Sequence, residues 1–120
     1  MWLITPIGFY SIVCKPGDAE VETLTIRARV KSDLEALRQE YLPSLEAISE
    51  DAGTDYRFRA KAKRGDVEKA LAQMARQLDY GNFKNEVANK QGSHRAQIYH
   101  EVWDGCGRCP AFPWKAIDAG

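Results

Sequence analysis

The chain is short of the features that usually announce a function. It has three cysteines, an odd set, which does not suit the disulfide framework of a small secreted domain. It has two histidines, no glycine-rich phosphate loop, no Ser-His-Asp order and no paired carboxylates in a cleft-like context. It has no net charge, because 17 Lys and Arg balance 17 Asp and Glu across 120 residues. That balance excludes a uniformly basic nucleic-acid binder or membrane-surface protein. No apolar run approaches the 18 or more residues of a membrane span, and Met1 to Cys14 lacks a basic leader region and a small-residue cleavage site. A cytoplasmic protein is expected. No internal repeat is present. At 44% hydrophobic and 28% charged, the composition is that of a folded domain with a core of its own.

Hydrophobic patterning supplies the architecture. Met1 to Lys15 is rich in β-branched and aromatic residues and is broken by Thr5-Pro6-Ile7-Gly8, which predicts two short strands or one bent strand. Lys15-Pro16-Gly17-Asp18 predicts a turn. Leu24 to Lys31 alternates strictly, with Leu24, Ile26, Ala28 and Val30 inward. Ser32 and Glu35 match a capping box for a helix that buries Leu34 and Leu37 and ends at Pro43. Ser44 to Thr54 reads either as a helical turn or as a short edge strand. Tyr56 to Lys63 alternates again, with Tyr56, Phe58, Ala60 and Ala62 inward. Gly65-Asp66 is placed to cap a helix with an apolar stripe from Val67 to Leu78, and two further helices follow, one stopping at Gly92 and one starting at Ser93. Strands with one apolar face and amphipathic helices that need a partner combine most simply as an α+β fold. The expectation is a single, mainly antiparallel sheet with helices on one face, an open-faced sandwich for which a ferredoxin-like arrangement is the closest common type. Residues 1–104 are expected to form one domain, and 105–120 a C-terminal tail packed at most through Phe112 and Trp114.

The opening Met1-Trp2-Leu3-Ile4-Thr5 with Gly8-Phe9-Tyr10-Ser11 resembles the start of a group of short bacterial proteins of unknown function. The similarity continues through Arg27-Ala28-Arg29-Val30, Asp33 to Leu37 and Asp55-Tyr56. It is most specific at Asp79-Tyr80-Gly81-Asn82-Phe83-Lys84 and Tyr99-His100-Glu101-Val102-Trp103. That group has no established activity, so the resemblance implies a self-contained domain over about residues 1–104 and no catalytic assignment.

One candidate site emerges from the alternation. The outward set of the two strands is Arg27, Arg29, Lys31, Arg57, Arg59, Lys61 and Lys63, with no acid among them. If the strands share a sheet, a period of two places all seven on the face away from the helices. Such a face attracts anions whatever the total charge, and phosphate suits the arginine fork and the lysine point charge. Phe9 shares the parity of Lys15 and is a candidate to stack bases beside it. The plain alternative is a solvated face whose cations protect the sheet edge, or one neutralised by Glu20, Glu22, Glu46, Glu50, Asp51 and Asp55.

Cys106 and Cys109 form a CxxC, half a zinc site or a redox pair by spacing. It follows a helix rather than opening one, and Cys14, His94 and His100 complete no finger pattern, so no metal or other cofactor is assigned. Cys14, in an apolar strand, reads as a small core residue. His94 and His100 are six apart and face opposite ways on one helix. In the Asp79 to Lys84 segment, Asp79 or Asn82 can cap a helix, Gly81 can take a positive φ, and Tyr80 and Phe83 can close one end of a core. Asn82 and Lys84 could alternatively line a pocket. The function expected first is a non-enzymatic binding module whose basic sheet face takes an anionic partner, either single-stranded nucleic acid or an acidic protein surface. An accessory or inhibitor protein that docks a larger complex, as phage-encoded defence inhibitors do, comes second. A small enzyme with a pocket between sheet and helices comes third.

Overall fold

A computed structural model of the chain describes residues 1–109. The fold is α+β, built on one five-stranded antiparallel sheet. The strands are β1 (Trp2–Thr5), β2 (Gly8–Val13), β3 (Thr23–Ala28), β4 (Ser49–Glu50) and β5 (Phe58–Lys63), in the order β1-β2-β3-β5-β4. The helices are α1 (Lys31–Glu40), α2 (Arg64–Arg76), α3 (Phe83–Gln91) and α4 (Ser93–Gly107). Three strands precede the first helix, so the connectivity differs from the β-α-β-β-α-β order of a ferredoxin-like domain.

The Thr5 to Gly8 break is a tight hairpin. Thr5 Oγ1 accepts from the amides of Ile7 and Gly8 and donates to the Gly8 carbonyl, which satisfies the turn from within. At the next turn Asp18 N donates to the Lys15 carbonyl at 2.9 Å, and Gly17 takes φ +91°. Pro16 fixes the preceding φ and Gly17 supplies the left-handed residue, as that turn type requires.

Register separates the two faces. Ile26 pairs with Ile12 and Ala60, and Ala28 with Phe58, so the inner face carries Tyr10, Ile12, Ile26, Ala28, Ala60 and Ala62. Helices α1 and α2 lie on that face through Leu34, Leu37, Val67 and Ala70. Leu34, fully buried, contributes about 1.5–3 kcal/mol by leaving water. Leu42 and Leu45 close the cluster where Ser44 to Thr54 begins, and the ambiguous segment resolves as the two-residue edge strand β4.

Several local expectations change. Strand β3 stops at Ala28, so Lys31 opens α1 and Val30, extended and partly exposed, stands at its N-cap with no side-chain cap. Ser32 therefore lies inside the helix and forms no capping box. Asp33 is buried and its carboxylate accepts from the Phe9 amide at 3.1 Å, tying α1 to β2. Helix α2 starts at Arg64, ahead of Gly65, and Asp66 accepts instead from Ser44 Oγ at 2.7 Å. Leu78 lies beyond the end of α2 and is exposed. Cys14 is exposed rather than part of the core, because β2 ends at Val13.

The chain divides into two compact units, Met1–Gly81 and a second that begins at Asn82. In the second, Asn82 caps α3 by accepting from Asn85 N at 3.0 Å; Gly81, the last residue of the first, has no positive φ. Phe83 stacks on Tyr99 with centroids 6.0 Å apart, and Val87, Ala96 and Tyr99 are buried. Helix α4 runs through Gly105 and Cys106 to Gly107, past the expected start of the tail. The packing expected of Phe112 and Trp114 lies outside the described residues. Among the described residues no helix is long and apolar enough to cross a membrane.

Candidate functional site

The face of the sheet opposite α1 and α2 is assembled from the other parity of each strand. Thr23 stands opposite Lys63, Thr25 opposite Lys61, and Arg27 opposite Arg59. On the far side of β3, Ser11 faces Arg27 and Val13 faces Thr25, while Trp2 of β1 faces Ser11. From Thr23 to Arg29 this strip is about 20 Å long, at 3.4 Å per residue.

Of the seven cations expected together, the register gathers Arg27, Arg59, Lys61 and Lys63, and Arg29 joins them at the end of β3. Lys31 does not belong, since it opens α1. Arg57, just before β5, pairs with Glu50 of β4 and sits over the Phe58 ring. Of the six acids expected to cover the face, Glu50 neutralises Arg57, and Glu22 pairs with Arg64 at 3.7 Å, which is not one of the seven. Glu46 borders the groove described below.

A seventh acid, unforeseen, does more. Asp18 is 1% exposed and gathers the Lys15 amide at 2.8 Å, Thr23 Oγ1 at 2.9 Å, Thr25 Oγ1 at 2.8 Å and the Lys61 ammonium. The Lys61 ammonium is the largest influence holding its carboxyl well below the usual carboxylate range; burial opposes it, and the threonine hydroxyls and the Lys15 amide add to it. A carboxylate in a turn, followed by alternating threonines, was the available sequence signal. Its link to Lys61, 43 residues on, needed the strand register.

Arg27, Arg29, Arg59 and Lys63 have no acidic partner among the described residues. Arg27 donates to Ser11 Oγ at 2.6 Å and lies 4.5 Å over the Tyr56 ring, with Arg29 at 5.6 Å from the same ring. Each such contact is worth about 0.5–1 kcal/mol at a partly exposed site. The Nε atoms of Arg27 and Arg59 are both shut off from solvent without an acceptor, a condition that costs about 1–3 kcal/mol for each buried donor.

The aromatic content of the face exceeds the expectation of Phe9 alone. Tyr56, expected inward, lies in a bend two residues before β5, where the strand's alternation does not apply, and it turns to this face. Phe9 lies 6.4 Å from Tyr56 and 5.5 Å from Trp2, edge to face in the second case. Trp2 is 66% exposed. The result is a row Trp2–Phe9–Tyr56 that passes directly into Arg27 and Arg29. Beyond Arg59 a groove of about 650 Å³ continues along the strip, lined by Lys15, Thr25, Glu46, Ser49, Arg59 and Lys61.

Comparison with protein-family models, with curated proteins and with solved structures finds no match. Function must therefore be argued from the face itself.

The remaining candidates fall away from it. Cys106 and Cys109 are free and exposed, and no group of three or more His, Cys, Asp or Glu among the described residues could hold a metal ion. In the second unit, His100 Nδ1 lies 3.1 Å from Lys84 Nζ, and its Nε2 lies 3.5 Å from Asp104. His94, exposed at the start of α4, takes no part.

Proposed function

We propose that this protein is a non-enzymatic binding module that takes single-stranded nucleic acid across the open face of its sheet. The observation that carries the reading is the unbroken passage from the aromatic row Trp2, Phe9, Tyr56 into Arg27, Arg29 and Arg59, which lack acidic partners among the described residues. Unstacked bases lie on aromatic faces and their phosphates follow cations, so a surface offering both in sequence fits a single strand. An acidic protein surface would use the cations but would have no need of an exposed tryptophan beside them. A duplex would hide its base faces from all three rings.

Fluorescence anisotropy with labelled oligo(dT) and oligo(U) tests this at low salt. Affinity should fall steeply and log-linearly with salt. Trp2→Ala and Tyr56→Ala should each weaken binding by about 5- to 150-fold, the loss of one stacked base at 1–3 kcal/mol. Arg29→Glu combined with Arg59→Glu should abolish it. Absence of binding to both oligonucleotides at low salt, or equal binding of a duplex, refutes the proposal. Binding that responds to the charge reversals but not to Trp2→Ala and Tyr56→Ala would transfer the face to an acidic protein partner.

A further inference from the structure

Arg27 and Arg59 stand directly opposite one another in the β3–β5 ladder, where like charges repel. A carboxylate between them would be the ordinary remedy, but Asp18 is committed to Lys61 and Glu50 to Arg57, and Glu46, which borders the groove beside Arg59, pairs with neither arginine. Arg27 is already oriented by Ser11 Oγ and by the Tyr56 ring. Arg59 lines the groove together with Lys15 and Lys61. Each guanidinium keeps an Nε–H with no acceptor.

We propose that Arg27 and Arg59 together form the site for one phosphate group. The chemistry selects phosphate over carboxylate. A carboxylate presents its two oxygens in one plane, which one arginine fork engages, whereas the two non-bridging oxygens of a phosphodiester project on different sides of phosphorus, one for each guanidinium. An incoming anion meets the outer Nη edges of the two guanidinium groups, and the Nε–H groups behind them report its arrival. The inference deepens the single-strand reading and rests on it. Held there, one phosphodiester fixes the register of the strand against the aromatic row, so that the chain is placed rather than merely attracted.

The first measurement uses inorganic phosphate alone. In ¹⁵N-labelled protein, the Nε–H resonances of Arg27 and Arg59 should move together along one saturable curve as phosphate is added. The resonance of exposed Arg76, at the end of α2, should not follow them, and acetate at equal ionic strength should move neither. Arg59→Gln should weaken the Arg27 response at least tenfold, and Arg59→Lys should weaken it less, with amide spectra confirming that both variants fold. Unchanged resonances, a common drift of all arginines, or an equal response to acetate overturns the site.

The second measurement uses oligo(dT). Losing one phosphate contact should reduce the slope of log K against log salt by about 0.7 in Arg59→Gln. If oligo(dT) binds with an unchanged slope, the phosphate site is refuted and the single-strand reading survives. If oligo(dT) fails to bind while phosphate still moves both resonances, the single-strand reading fails and the site stands as one for free phosphate.

Discussion

Replacing Asp18 by alanine should destabilise this protein more than any other change at its sheet face. The side chain is 1% exposed, and its two oxygens accept from the Lys15 amide, Thr23, Thr25 and Lys61. Removing it strands the Lys15 amide and the two hydroxyls, each at about 1 kcal/mol or somewhat more because the acceptor is charged. Lys61 is half exposed and returns to water, so its share is counted only at the surface-pair scale of about 0–1 kcal/mol. The total is about 3 kcal/mol, or a fall in Tm of about 12 °C for a chain of this size. Asp18→Asn keeps the shape and one acceptor oxygen and should lose about 1–2 kcal/mol.

The sign of the pH dependence follows from the same geometry. Asp18 is held below its ordinary range in the folded state, so as pH falls the unfolded chain takes up its proton first. The stability it contributes is complete above about pH 5 and is lost progressively as the solution becomes more acid. Urea denaturation of the wild type and Asp18→Asn should therefore give curves that separate at pH 7 and converge towards pH 2. A loss below about 1 kcal/mol for Asp18→Ala would falsify the four-donor account. So would a difference between wild type and Asp18→Asn that stays constant from pH 7 to pH 2.

Gly8→Ala should cost about 2–4 kcal/mol. A Cβ there would meet Tyr10 Oη at 2.6 Å and Asp33 Cγ at 2.8 Å, displacing the Tyr10 hydroxyl from the Asp33 carbonyl and Asp33 from the Phe9 amide. A urea midpoint within error of the wild type would show that the β2–α1 junction yields more easily than its contacts imply. Glu50→Gln, by contrast, removes one partner of an exposed ion pair and should shift stability by less than about 1 kcal/mol, measured in the same assay. A larger loss would mean that β4 depends on that pair for its attachment.

Where residues alternate without interruption the sequence was legible. Leu24 to Ala28 and Phe58 to Lys63 reveal their inner face directly, and the small and β-branched residues there meet α1 and α2 as expected. Legibility failed where alternation was extended past the strand ends. The pattern places Val30 and Lys31 in a strand that stops at Ala28, and it points Tyr56 inward although the chain bends before β5. The bend at Tyr56 conceals the middle of the aromatic row from the pattern, and nothing local in the sequence ties Trp2 to Phe9 across the hairpin. Asp18 escaped for a different reason. Its partners lie 3, 5, 7 and 43 residues away, and only the pairing of Thr25 with Lys61 brings the most distant one near. The Ser32 capping box shows the opposite error, a strong local pattern set aside because the helix begins one residue ahead of it.

The edge strand β4 is only two residues long, yet the segment that contains it is fastened to β5 at more points than those two. Glu46 N donates to the Lys61 carbonyl at 2.9 Å, Ser49 registers with Arg59, and Asp51 N donates to the Arg57 carbonyl at 2.6 Å. The connection thus occupies the outer backbone groups of the strand that carries Arg59 and Lys61. An extended peptide cannot join the sheet there by strand addition, since the ladder it would extend is already taken. Along this edge a partner must arrive from above, onto side chains, and must be recognised without main-chain pairing. A partner can then leave without the sheet having to open.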